Sequence, residues 1–243
     1  MSTARRIAGC ALVAATIIST ATAQEIVVTQ INSYAENGIG HQYRKDVEAA
    51  NLAMLKEGNL EGVSERLAPV LRYCDRQRQQ PGRIALSVAS AAEYEHYIAT
   101  HHDGTPVEWI DMACPRAYKA MAFMHVERKA YDMALPYLDQ ATAMAPYWAE
   151  ALVERGFVLN RLRRPREGLA SYRMALELTE SFKSVDRVKA MALRGIGYSL
   201  IELGDMEAAK ASYEQSLEIE PDNKTANNEL EYIRQQAEKQ PSP

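Results

Sequence analysis

One segment, GYSLIELGDMEAAKASYEQSLEIEP at residues 197–221, carries the clearest structural pattern in the chain. Its small and large residues occur twice earlier in the same order. The three sets are Ala122, Phe123, Ala134, Leu138 and Ala141, then Gly156, Phe157, Gly168, Tyr172 and Ala175, and last Gly197, Tyr198, Ala209, Tyr213 and Ser216. The second set follows the first by 34 residues and the third follows the second by 41, as if seven residues had been inserted. A period of this size indicates stacked helical hairpins.

From Pro115 onward the chain resembles the tetratricopeptide repeat family. Beyond the positions above, the resemblance depends on Tyr118, Met121 and His125 in copy one, on Leu152 and Leu159 in copy two, and on Leu193, Ile196, Leu200 and Pro221 in copy three. Copy two departs from the family pattern at Arg155, Gly168 and Glu180, and the extra residues around 181–186 predict a strained or lengthened second helix. The resemblance implies an all-α fold, an α-solenoid of stacked antiparallel helical hairpins.

The rest of the chain divides around these repeats. Apolar residues at helical spacing on both sides of Gly58-Asn59 predict one hairpin, and a further helix is expected from Ile84 to Tyr97. Thr105 as N-cap and Pro106 in the first turn predict that the next helix starts there. The expected units are a signal peptide at 1–23, an extended or flexible segment at 24–42, two degenerate hairpins at 43–114, three repeats at 115–221, a capping helix at 222–236 and a disordered tail at 237–243.

The N-terminus predicts export. Arg5 and Arg6 precede an apolar stretch from 7 to 18 that is shorter than the roughly 20 residues of a membrane span. Ala21-Thr22-Ala23 then suits signal cleavage, so the mature chain would begin at Gln24, in a bacterial periplasm. No other apolar run reaches membrane length, and no membrane span is expected after cleavage. Glu25–Thr29 is β-prone and is either a strand for a partner's sheet edge or a flexible tail.

Net charge and cysteine content limit the classes of function that the sequence supports. Cleavage would take the formal charge from −4 to −6, which argues against nucleic-acid binding because that depends on neutralising phosphates. Cys74 and Cys114 would remain, either as a disulfide or as two buried thiols. His96 and the residues up to Asp103 suggest a metal site only weakly, since one carboxylate–histidine pair is present where a di-iron bundle needs two. No catalytic motif, metal site or cofactor is expected.

In the tetratricopeptide family the first helix of each hairpin lines the concave wall, so the register predicts a peptide-binding groove. Phe123, Phe157 and Tyr198 share one inner position and would form an aromatic ladder; Lys119, Val153 and Arg194 share a second, and Val126, Asn160 and Ile201 a third. The other interpretation of these aromatics is ordinary packing within hairpins. The composition suits an apolar peptide with a polar or acidic end, bound without catalysis by an adaptor for another cell-envelope protein. The alternatives are a homo-oligomer that stacks through its ends and a metal protein centred on His96–Asp103.

Overall fold

The computed structural model describes residues 38–57, 60, 62–101, 103–182 and 185–239. The predicted signal peptide, the Glu25–Thr29 segment and residues 240–243 of the tail lie outside these ranges. None of the described helices has both the length and the apolar character needed to cross a bilayer.

Ten α-helices make up most of the described chain. They are α1 (Arg44–Glu57), α2 (Val63–Arg78), α3 (Ala91–Thr100), α4 (Ala113–Glu127), α5 (Tyr131–Met144), α6 (Ala149–Arg161), α7 (Pro165–Ser181), α8 (Asp186–Glu202), α9 (Met206–Ile219) and α10 (Lys224–Lys239). The hairpin predicted around Gly58-Asn59 is α1 with α2. Helix α10 continues three residues past the predicted end of the capping helix at 236. The predominantly helical solenoid is therefore confirmed.

Residues 84–109 differ from the prediction. Strands β1 (Ile84–Leu86) and β2 (Val107–Trp109) pair in parallel, with Ile84 opposite Val107, and α3 connects them. The predicted helix from Ile84 was wrong, because α3 starts only after Ser90, whose side chain accepts a hydrogen bond from the Glu93 amide while Glu93 accepts one from the Ala89 amide. This capping box sets the helix start.

The predicted helix start at Thr105-Pro106 was also wrong. Proline disfavours a helical conformation in the residue before it, and the carbonyl of Pro106 accepts a hydrogen bond from the amide of Ile84 instead. Backbone pairing with the segment at Ile84 therefore takes the place of the predicted helix start at Thr105-Pro106. The segment predicted as a second degenerate hairpin holds one helix between two short strands, and α4 begins at Ala113.

The three repeats form the hairpins α4/α5, α6/α7 and α8/α9, and α10 packs on the last of them. The seven inserted residues lengthen two helices. Helix α7 has 17 residues against 14 in α5, and α8 has 17 against 13 in α6, whereas the connections between hairpins stay the same length. The insertion therefore extends the helices on both sides of the junction between copies two and three and leaves the register of small and large residues intact.

Close helix contact in the repeats depends on glycine facing tyrosine. A methyl group added at Gly156 would lie 2.8 Å from the Tyr172 ring, and one at Gly197 would lie 2.6 Å from the Tyr213 ring. Gly195 faces the same Tyr172 from the next hairpin, where a methyl group would lie 2.1 Å from its ring. Tyr172 of α7 is therefore held between α6 and α8, which fixes the spacing of the two helices that border the site described below.

A disulfide joins the N-terminal region, residues 38–112, to the first repeat. Cys74 of α2 and Cys114 of α4 are bonded, with their Cα atoms 5.5 Å apart, and both are fully buried. Nearby, the Tyr118 hydroxyl donates to Asp75 over 2.6 Å. Arg44 forms an ion pair with Asp111. Of the two interpretations that the cysteine spacing allowed, the structure has the disulfide.

Candidate functional site

A cleft of about 390 Å³ runs along the first helices of copies two and three and is bordered by α10. It is called here the inner cleft. Six of its thirteen lining residues have apolar or aromatic side chains. Two of these aromatic rings are open to solvent: Phe157 is 42% exposed and Tyr198 36%. The lining residues are Val153, Glu154, Phe157, Asn160, Arg161, Tyr172, Met191, Arg194, Gly195, Tyr198, Tyr213, Thr225 and Glu229.

Five of the nine predicted groove residues line this cleft. They are Val153, Phe157, Asn160, Arg194 and Tyr198. Phe157 on α6 and Tyr198 on α8 line the same cleft, and both helices contact Tyr172, through Gly156 and Gly195. The register therefore predicts the two open rings of the site.

The other four predicted residues do not line it. Phe123 is half-buried against the core formed by α1, α2 and α4. Val126 packs against the core of the first two repeats, Ile201 against that of the last two, and Lys119 pairs with Glu154. The N-terminal region covers copy one, so the predicted three-ring ladder has two rings at this cleft.

Asn160 has a structural role. Its side chain is only 7% exposed, and its amide donates to the Ser199 hydroxyl over 2.9 Å. That hydroxyl in turn donates to the Gly195 carbonyl over 2.9 Å. The first of these hydrogen bonds connects α6 to α8, and the second lies within α8.

Both cations predicted to meet a ligand are paired within the protein. Arg194 donates to Glu220 over 2.6 Å, and the Lys119 ammonium lies 2.6 Å from the Glu154 carboxylate and over the ring of Trp148. Arg161, the last residue of α6, lies over the Tyr131 ring at 5.2 Å. Glu229 of α10 is half-buried and forms no ion pair with the residues that the structure describes.

The protonation states in the cleft follow from burial. Burial raises the pKa of Tyr198, and the Glu202 charge raises it further. Burial likewise raises the pKa of Tyr172 and Tyr213, so all three rings are neutral at physiological pH. Burial also raises the pKa of Glu229, since water stabilises its charge less there. The inner cleft therefore combines neutral aromatic surface with one carboxylate, Glu229, that forms no ion pair with the described residues.

Sequence reasoning missed the contribution of the capping helix. Thr225 and Glu229 enter the cleft one helical turn apart on α10, and Met191 and Arg161 border it. The amphipathic pattern of the capping helix predicts that Leu230, Tyr232 and Ile233 close the core. Leu230 and Ile233 do pack in it, but the prediction was wrong for Tyr232, which is 42% exposed. The pattern does not show which residues at the edge of the buried side face a neighbouring helix.

The described histidines near residue 100 contact tyrosine side chains. His96 Nδ1 lies 2.9 Å from the Tyr147 hydroxyl, and the His101 ring stacks on Tyr97 at 4.3 Å. In the described ranges no three His, Cys, Asp or Glu side chains are grouped so that they could hold a metal ion, and His102 lies outside those ranges. The metal alternative thus gains no support from the described residues.

A second cleft of about 240 Å³ lies beside this cluster, where the N-terminal region meets the repeats. Its charged lining residues are Glu93, Arg116 and Glu150, and its aromatic ones are Tyr147, Trp148 and Phe182. Glu93 already caps α3, and Tyr147 and Phe182 pack against His96. These side chains join the two parts of the molecule.

Comparison with a family model supports the repeat assignment of copies two and three. Residues 149–221 match the family model of the tetratricopeptide repeat. A search of curated proteins found no match. Among solved structures, the first TPR domain of the human RPAP3 protein is 26% identical, covering 50% of this chain and 90% of that one with a TM-score of 0.45. The Sgt2 TPR domain from Aspergillus fumigatus is 19% identical, covering 53% and 84% with a TM-score of 0.47, and the MamA protein is 13% identical, covering 82% and 93% with a TM-score of 0.40. The hairpins α6/α7 and α8/α9 thus have the sequence pattern of tetratricopeptide repeats.

Proposed function

We propose that this protein is a non-catalytic adaptor that binds a peptide segment of a partner protein in the inner cleft. The observation that carries the proposal is the pair of open aromatic rings, Phe157 on α6 and Tyr198 on α8, that line one cleft of about 390 Å³. Aromatic side chains of this kind supply much of the binding energy at protein interfaces once a partner removes them from water.

The rigidity of the cleft supports binding without rearrangement. Tyr172 is held between Gly156 and Gly195, and the Asn160–Ser199 hydrogen bond connects the same two helices. A wall that is already ordered loses little conformational freedom when a ligand binds, so more of the contact energy appears as affinity.

We place this adaptor in the bacterial cell envelope, exported by a signal peptide that ends at Ala23. The basic and apolar pattern at residues 5–18 supports this, and so does the Cys74–Cys114 disulfide, because disulfides persist in oxidising compartments such as the periplasm. N-terminal sequencing of the protein recovered from periplasmic extract should begin at Gln24. An uncleaved chain found in the cytoplasm would refute the placement.

The binding function is tested with peptides. A random library of 12-residue peptides is selected on the purified protein, and the affinity of the enriched peptide is measured by fluorescence anisotropy. The double variant Phe157→Ala with Tyr198→Ala should weaken binding by about 30-fold, the equivalent of about 2 kcal/mol for a buried aromatic anchor, while its helical content and monomeric state are retained.

The matched control is Met174→Ala, which removes a large apolar side chain that is 53% exposed on α7 and does not line the cleft. It should change the affinity less than twofold. Failure to enrich any peptide, or equal binding by the double variant and the wild type, would overturn the proposed function.

Self-assembly through the ends has less support. Among the described side chains of the two end helices, the large apolar residues that are well exposed are Leu52 on α1 and Tyr232 on α10. Single exposed apolar side chains are normal on monomeric proteins, whereas an end-to-end interface needs a contiguous patch. Sedimentation at increasing concentration should therefore show a monomer.

A further inference from the structure

The ion pairs at the inner cleft change the charge that is expected of its ligand, from acidic to basic. Lys119 and Arg194, the cations predicted to meet a polar or acidic peptide end, are paired with Glu154 and Glu220 at 2.6 Å each. An acidic ligand would have to compete with these carboxylates. The charge that remains without an ion pair in the described part of the cleft wall, apart from Arg161, is Glu229.

Arg161 offers a weaker attraction. Its side chain is exposed, and its guanidinium already lies over the Tyr131 ring at 5.2 Å. A charge surrounded by water is screened, so its contribution to binding is small.

Glu229 is less exposed to water than Arg161. It is half-buried, it lies one helical turn after Thr225, and it shares the cleft wall with the rings of Tyr198 and Tyr213. Burial has removed water from its carboxylate without supplying a cation, and this raises its pKa. A ligand cation at this position would offset the lost hydration, and charge-assisted hydrogen bonds are about twice as strong as neutral ones.

We propose that the peptide segment bound in the inner cleft carries a lysine or arginine whose cation pairs with Glu229, with its apolar stem and a neighbouring apolar side chain against Tyr198 and Phe157. The Tyr198 ring beside Glu229 adds a second attraction, since aromatic faces attract cations. This inference rests on the proposed function and names the chemistry of the partner: a basic and apolar segment of a protein.

The test uses the peptide selection described above, repeated with Glu229→Gln and with Glu218→Gln. Glu218 is exposed on α9 and does not line the cleft, so its variant makes the same change of charge outside the site. Peptides selected on the wild type and on Glu218→Gln should share a Lys or Arg at one position. Peptides selected on Glu229→Gln should lose this preference.

A double-mutant cycle then assigns the contact. Replacing the shared basic residue of the peptide by Gln should weaken binding to the wild type by about tenfold and to Glu229→Gln by less than twofold. Thermal unfolding of Glu229→Gln should be unchanged or shifted upward, because the variant removes a half-buried charge without a cation. A structural role for Glu229 would lower the unfolding temperature instead.

The outcomes separate this inference from the function on which it rests. Peptides that depend on Phe157 and Tyr198 but show no basic preference, or an acidic preference in the wild type, would overturn the inference and leave the adaptor function standing. If no peptide is enriched, the adaptor function and the inference both fail.

Discussion

The N-terminal region, residues 38–112, and the repeats with their capping helix, residues 113–239, are stabilised in different ways. In the first, a shared core and specific links join residues far apart in sequence: the Arg44–Asp111 ion pair spans 67 positions, and two three-residue strands pair across α3. In the second, the two helices within each of copies two and three pack through the same contact, with Gly156 and Gly197 each facing a tyrosine 16 positions later. Loss of one long-range link should therefore affect the whole N-terminal region, whereas a repeat contact should act on its neighbours.

The largest effect is expected at the link between the two regions. Replacing Cys74 and Cys114 by Ala should lower the free energy of unfolding by about 4 kcal/mol, the loop-entropy value for a bridge between residues 40 apart. Urea denaturation measures the loss.

Hydrogen exchange locates that effect. Amides of α1 and α2 should lose protection in the double Cys variant while those of α8 and α9 keep theirs. A loss below about 1 kcal/mol, or one shared equally by all helices, would contradict a region held by a few long-range links.

Gly195→Ala should cost about 3 kcal/mol, although alanine favours a helix over glycine by up to about 1 kcal/mol. The added methyl group would lie 2.1 Å from the Tyr172 ring, which Gly156 confines on the other side. Thermal and urea unfolding measure the cost.

A cycle with Tyr172→Leu tests the mechanism. Without the ring, the cost of Gly195→Ala should fall by at least about 1 kcal/mol, because the clash is removed. Equal costs in both backgrounds would show that helix spacing in copies two and three does not depend on this contact.

Tyr118→Phe should lower the free energy of unfolding by about 1 kcal/mol. It removes the hydroxyl that donates to Asp75 over 2.6 Å and thereby the hydrogen bond between α4 and α2. Its effect should fall on the N-terminal region, as that of the disulfide does. Urea denaturation at neutral pH measures the loss of stability, and hydrogen exchange of the α2 amides locates it.

The pH dependence of the same variant provides a check. Burial raises the pKa of Tyr118 above its ordinary value of about 10. The unfolded chain therefore releases this proton first, and stability is complete below pH 10 and falls as the pH rises above it. The wild type should lose stability above pH 10 more steeply than Tyr118→Phe, and equal slopes would contradict the burial of this hydroxyl.

The smallest effect is expected at the turn between the two helices of each repeat, where the three copies have different residues. Lys129, Arg163 and Gly204 occupy the same turn of the three hairpins with φ of 57°, 61° and 84°, a conformation that favours glycine. Arg163→Gly should raise the free energy of unfolding by about 0.5–1 kcal/mol, and Gly204→Ala should lower it by a similar amount. Changes of the same sign in the two variants would show that backbone strain does not distinguish the copies.

The repeat register was predictable because similar hairpins place small and large residues in the same internal order, and this order can be read from the sequence. Phe157 and Tyr198 were found this way. Residues 84–109 were mispredicted for the opposite reason: a strand of three residues has no detectable period, and the pairing of Ile84 with Val107 depends on a distant part of the chain. The Cys74–Cys114 bridge also depended on the fold, since spacing alone cannot bring two Cα atoms to 5.5 Å.

The sequence of this protein is enough to specify three hairpins in register and two aromatic rings on their inner faces, because local packing rules act at every repeat. The charge of the inner cleft depended on the folded arrangement. The Arg194–Glu220 pair joins residues 26 positions apart, and the approach of Glu229 depends on how α10 docks. An ion pair forms only where two charged groups lie within a few ångströms of each other in the folded chain. The local sequence pattern does not show which groups do so.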